Sequence, residues 1–190
     1  MSAEQEQLVR ELSDQLSAFT YNWSIYWSTY SLFTWQFWVL AGIVLIPLLV
    51  LFWRLDRQRL LQVLFYGLGV HTVALYCDLY GTSHAMWVYP FVLLPFPTAS
   101  FGLDASLIPV SYMLMYQWTV HRHKNYYLYM LLLCAAFAFG VKPLMQITRF
   151  IRIRDTTYWE LFLFYVVIGL VPKLTTDLFL AFQRKAKSRV

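Results

Sequence analysis

WQFWVLAGIVLIPLLVLFW, residues 35–53, runs nineteen residues without a charged side chain and carries an indole at each end. At 1.5 Å per residue a helix of this length measures about 27 Å, close to the hydrocarbon thickness of a bilayer. Tryptophan favours the membrane–water boundary because its ring is apolar while its N–H needs a partner. Four further apolar stretches follow, which predicts an integral membrane protein rather than one buried core helix.

Composition points the same way. Hydrophobic residues make up 59% of the 190 and charged residues 13%, against about 25% charged in soluble domains. Mean hydropathy is +0.51. A soluble domain of this size has too little interior to hide so much apolar surface, so lipid must cover part of it. The net charge of +5 does not imply nucleic acid, because most basic residues stand just beyond apolar segments, where they meet anionic headgroups. Cys77 and Cys134 fall at different expected depths, which argues against a disulfide. The acidic start, with Glu4, Glu6, Glu11 and Asp14 against Arg10, lacks the basic-then-apolar order of a cleavable signal.

The fold expected is an all-α bundle of five transmembrane helices over residues 35–190. Their ranges are about 35–53, 60–80, 104–120, 125–148 and 158–182, with Pro47 a kink point in the first. Residues 1–34 precede the bundle as an amphipathic segment. In it Leu8, Leu12, Leu16 and Phe19, then Trp23, Trp27 and Tyr30, recur at helical spacing, as in a helix lying in the interface. Residues 86–102 hold Pro90, Pro95 and Pro97. Their apolar part is too short to span, so a surface or re-entrant segment is expected, shielded by the helices.

Lys and Arg set the orientation. With the N terminus outside, the inner segments hold Arg54, Arg57, Arg59, Arg122, Lys124, Arg184, Lys185, Lys187 and Arg189, nine in all. The outer ones hold Arg10, Arg149, Arg152 and Arg154, which is four. The excess predicts a cell-membrane protein with its N terminus outside and its C terminus cytoplasmic.

Ionisable groups inside a membrane are expensive, and each raises a functional question. Projected along the helices, Asp78, Asp104, Lys142 and Glu160 fall at one height near the outer face, and His84 sits in the loop above. Together they form a candidate pocket for a polar ligand or ion. The structural alternative stands beside it: Asp104 is placed to cap its helix, Glu160 to complement a helix dipole, and Lys142 to pair with a carboxylate or snorkel. His71 shares a face with Gly67, Ala74 and Asp78 and is expected to point into the bundle, as a hydrogen-bonded neutral imidazole or a proton relay towards Asp78. Tyr112 is a candidate cavity floor or a packed phenol. Lys173 and Asp177, four apart, predict an intramembrane ion pair. No His spacing supports a metal site, and no pattern supports a catalytic set or a cofactor.

The run Trp87-Val88-Tyr89-Pro90, then Pro95, then LDASLIPVSYMLMYQW from Leu103 to Trp118, resembles an uncharacterised family of small multi-pass membrane proteins from Gram-positive spore-forming bacteria. The resemblance implies the membrane placement and interest in Trp87, Tyr89, Asp104, Pro109 and Gln117, and it implies no activity. A fainter likeness is to the membrane lycopene cyclases, where a W-x-Y element precedes a proline–acid motif. Here the proline and Asp104 are separated and no paired Glu follows.

The sequence therefore predicts a multi-pass protein that binds or transports a small polar or lipid-headgroup ligand at an outward-facing charged pocket. Two other classes stay open: a membrane enzyme acting on an isoprenoid or lipid, and a non-catalytic scaffold or assembly subunit. Expected partners are the bilayer, a small ligand or lipid, and a second copy or another membrane protein, without nucleic acid.

Overall fold

Local capping chemistry fixes where each helix starts. The computed structural model describes residues 1–96 and 99–188; Pro97 of the proline-rich segment and Arg189 of the basic C-terminal run lie outside them. Ser2 and Gln5 form a capping box that opens α1, Ala3–Tyr30, satisfying N–H groups that have no helical acceptor. Thr34 accepts from the Phe37 N–H at 3.3 Å and starts α2, Trp35–Arg54, which runs on through Pro47. A single 3-10 turn, Arg57–Arg59, capped by Asp56, leads into α3, Leu60–Ser83. Helix α4, Ile108–His121, and helix α6, Lys142–Ile147, each follow a π-helical turn, at Leu103–Leu107 and Ala136–Val141. Asn125 caps α5, Tyr126–Ala135. A second capping box, Thr157 with Glu160, opens α7, Tyr158–Lys187.

Among the described residues, four helical stretches are long and apolar enough to cross a membrane: Trp35–Arg54, Arg57–Ser83, Tyr126–Ile147 and Tyr158–Lys187. The chain is all-helical in architecture and membrane-spanning by this measure. Their outward side chains suit lipid: Phe52, Trp53, Leu61 and Ile147 are 72 to 81% exposed, an arrangement that water would penalise. The third expected span, 104–120, is helical but is not among the four. Its physical difference is position. Ile108, Pro109, Val110, Tyr112, Met113, Tyr116 and Thr119 are buried, so this helix faces protein and carries tyrosines and Gln117 where a lipid-facing helix carries leucine.

Helix α3 packs against both α4 and α7 and forms the axis of the bundle. Small residues set the closeness: a Cβ on Gly67 would stand 2.1 Å from the Met113 sulfur, and one on Gly169 would stand 2.7 Å from Met130 and Tyr112. Tyrosines fill the centre. Tyr66 stacks on Tyr116 with centroids 4.3 Å apart, and the hydroxyls of Tyr66 and Tyr126 meet at 2.7 Å. Tyr126 donates onward to the Gly169 carbonyl at 2.8 Å. Buried phenols are tolerated because each hydroxyl has a partner.

The described part of the proline-rich segment before Phe101 is not helical. It opens with β1, Trp87–Val88, paired antiparallel to β2, Arg152–Ile153, in the register Trp87–Ile153 and Val88–Arg152. Residues 89–96 and 99–100 lie as a strap across one end of the bundle. Helix α1 has no buried residue and is anchored to this strap: the Trp27 indole N–H and the Ser31 hydroxyl donate to the Val92 carbonyl at 3.0 and 3.1 Å.

Candidate functional site

Beneath the strap, α3, the turn before α4, the start of α6 and α7 enclose a chamber of about 30 Å³ whose polar lining is Asp78, Asp104, Lys142, Trp87, Tyr89 and Tyr165. That volume holds a water-sized group and no more. All three ionisable side chains are buried, with 3 to 5% exposure.

Asp78 is the hub. Its Oδ1 accepts from the Trp87 indole N–H at 2.8 Å and the Tyr89 hydroxyl at 2.7 Å. Its Oδ2 accepts from the Ser100 backbone N–H at 2.9 Å. Three donors around one carboxylate replace the water it lost on burial, and all three come from the strap. Gly81, one turn beyond Asp78, makes room for this: a Cβ there would stand 2.0 Å from the Trp87 ring.

Lys142 Nζ donates to the Tyr89 hydroxyl at 3.1 Å and lies 5.6 and 5.3 Å from the Trp87 and Tyr89 ring centroids, within cation–π range. It makes no direct ion pair with either carboxylate among the described residues. The link from ammonium to carboxylate runs through the Tyr89 hydroxyl, which accepts from one and donates to the other. Burial first, and then the neighbouring Asp78 carboxylate, hold the Tyr89 phenol well above its usual range, so it keeps the proton that this link requires.

Asp104 differs from Asp78. Among the described residues its Oδ2 is buried with no donor of its own, and its carboxyl neighbours that of Asp78 closely enough for the two to share a proton. The expected helix cap is not observed, because helical conformation already runs from Phe101 and places Asp104 inside the helix. Its carbonyl is freed by the π turn: the Ile108 N–H bonds back to the Leu103 carbonyl, and Pro109 has no N–H to offer. His71 takes that carbonyl, donating from Nδ1 at 2.7 Å. Lys142 leaves a π turn in the same way, its N–H reaching the Phe137 carbonyl just before Pro143. Asp104 and Lys142 thus both emerge where a π turn accommodates a proline, a distortion that recurs at functional sites.

Of the seven residues expected to line a pocket, Asp78, Asp104 and Lys142 converge. His71 touches the Asp104 backbone but is not part of the lining. Tyr112 lies deeper, its hydroxyl donating to the Tyr165 carbonyl at 2.8 Å and meeting the Cys134 sulfur at 3.2 Å. His84 and Glu160 are corrections. His84 is exposed and folds back on its own helix, Nδ1 donating to the Tyr80 carbonyl at 2.8 Å. Glu160 is spent in the α7 capping box, accepting from the Thr157 N–H at 2.6 Å. Sharing a height on the membrane axis does not bring side chains together, since helices also differ in rotation.

Trp87 and Tyr89 are lining residues, whereas Pro90 lies on the outer surface beside Arg152. Gln117 acts far from the chamber, accepting from the Asp56 N–H and donating to the Arg54 carbonyl, both at 2.8 Å. Lys173 and Asp177 form the expected ion pair on α7, with the ammonium 5.2 Å from the Tyr126 ring. Ser100 had no signature in the sequence, because its contribution is a backbone N–H. Both cysteines are free, and Cys77 borders the chamber.

No protein-family model, curated protein or solved structure matches the chain. The reading of the chamber accordingly rests on its own chemistry.

Proposed function

We propose that this is a five-helix membrane protein, N terminus outside, that binds a small polar solute in the Asp78–Asp104–Lys142 chamber beneath the strap. What supports this is the Asp104 Oδ2, a buried acceptor with no donor of its own among the described residues, set beside the Asp78 carboxyl and facing the same cavity as a buried ammonium. An unpaired buried carboxylate oxygen costs stability, by about 1–3 kcal/mol or more. A protein that accepts such a cost has a use for the group. A solute bearing an N–H or O–H would satisfy Asp104. The size of the cavity favours an ammonium, a small amine or a hydroxyl over a lipid headgroup, and the strap is the natural point of entry. The kinship to small multi-pass proteins of spore-forming bacteria is part of the same proposal.

Thermal unfolding of the purified protein in detergent, with ammonium, methylammonium, methanol and acetate added in turn, tests it. At least one solute is expected to stabilise the wild type and to leave Asp104→Asn unmoved. If every solute shifts both proteins alike, the chamber is structural and the proposal fails.

A further inference from the structure

A second opening lies between α3 and α7, at the end remote from the chamber. Leu61, Phe65 and Leu68 on α3 and Phe179, Leu180 and Gln183 on α7 border a groove of about 650 Å³. The walls recur at helical spacing on both helices, so the groove runs along them. Phe65 and Phe179 meet edge to face with centroids 5.5 Å apart. Phe65 is thirteen residues from Asp78, so the two sites are about 20 Å apart along the axis.

Basic residues flank the groove in the chain at its Leu61 and Gln183 end. Arg57 and Arg59 stand within one turn of Leu61, and Arg184, Lys185 and Lys187 follow Gln183 within one turn. The acids nearest in sequence are engaged elsewhere: Asp56 caps the Arg57–Arg59 turn, and Asp177 pairs with Lys173. Two glutamines sit at the level between basic rim and apolar walls. Gln62 is oriented by donating from Nε2 to the Tyr116 hydroxyl at 2.6 Å, which leaves its carbonyl free of that bond.

We propose that this groove is a binding site for one anionic phospholipid, with an acyl chain along the α3–α7 walls, the glycerol region at Gln62 and Gln183, and the phosphate among the rim cations. Charge complementarity selects this occupant over a neutral lipid or a second protein helix. A protein helix would leave the rim cations without counter-charges, whereas a phosphate at a helix C-terminal basic cluster meets several at once. This inference needs the chain to lie in a membrane but is independent of the chamber reading.

The test titrates phosphatidylglycerol and, separately, phosphatidylcholine into the delipidated full-length protein in mild detergent, read by native mass spectrometry. One phosphatidylglycerol is expected to bind in preference to phosphatidylcholine. Arg59→Gln and Arg184→Gln are each expected to lower that preference about fivefold, the equivalent of about 1 kcal/mol. Leu61→Trp, on an exposed wall position, is expected to weaken both lipids, and Ile147→Ala, at an exposed position on α6 outside the groove, to change neither. Equal binding of the two lipids, a ladder of many equivalent phosphatidylglycerols, or a preference untouched by both arginine variants would each overturn it.

Discussion

At the residue scale the two aspartates separate by their donors. Asp78 has three, all supplied by the strap, while the Asp104 Oδ2 has none among the described residues. Tyr89 joins both charges through a single oxygen. Tyr89→Phe keeps the ring, and therefore the packing and much of the cation–π contact, but removes the donor to Asp78 and the acceptor for Lys142. A loss of about 2–3 kcal/mol in unfolding free energy is expected, the value of hydrogen bonds to charged groups. Denaturant unfolding in detergent measures it, and a change under about 0.5 kcal/mol would show that the hydroxyl bridge is not made.

At the element scale the strap is held to the bundle by side chains rather than by helical packing. Gly81 is the point where the Trp87 ring touches the α3 backbone. Gly81→Ala introduces a methyl where there is no space, so the indole must leave Asp78 or the strap must lift. A red-shifted and more quenchable tryptophan emission is expected, with α3 itself unaffected. Unchanged emission would mean that the ring relaxes in place.

This scale also shows what the sequence conveyed. The apolar runs and caps located the helices to within a few residues, because lipid imposes length and charge exclusion on them. That residues 86–96 would not continue a helix was readable from Pro90 and Pro95. Its β-pairing with Arg152–Ile153 was not, since two-residue strands have no period to detect. The π turns before Pro109 and Pro143 were legible in principle, as prolines placed inside helical patterns. Which face Asp104 and Lys142 would take depended on that one-residue shift, so depth alone also gathered His84 and Glu160, which lie elsewhere.

At the scale of the whole molecule the two ends of the bundle are chemically unlike. One carries the strap, α1 and the charged chamber; the other carries a basic rim and the α3–α7 groove. Under the proposed orientation the chamber faces outward and the rim meets the anionic inner leaflet. Cysteine-free variants carrying Gln5→Cys or Lys187→Cys test this in intact cells with a membrane-impermeant maleimide. Gln5→Cys is expected to label and Lys187→Cys to label only after permeabilisation. The reverse pattern would invert the protein and turn the chamber towards the cytoplasm.

The most direct measurement of the central claim compares unfolding temperatures of the wild type, Asp104→Asn and Asp78→Asn in the same detergent, without added solute. The unpaired Asp104 oxygen predicts that Asp104→Asn unfolds at or above the wild-type temperature, whereas Asp78→Asn, which leaves strap donors without their carboxylate, loses about 3 kcal/mol. An Asp104→Asn protein destabilised as far as Asp78→Asn would contradict the account and make both carboxylates parts of the scaffold.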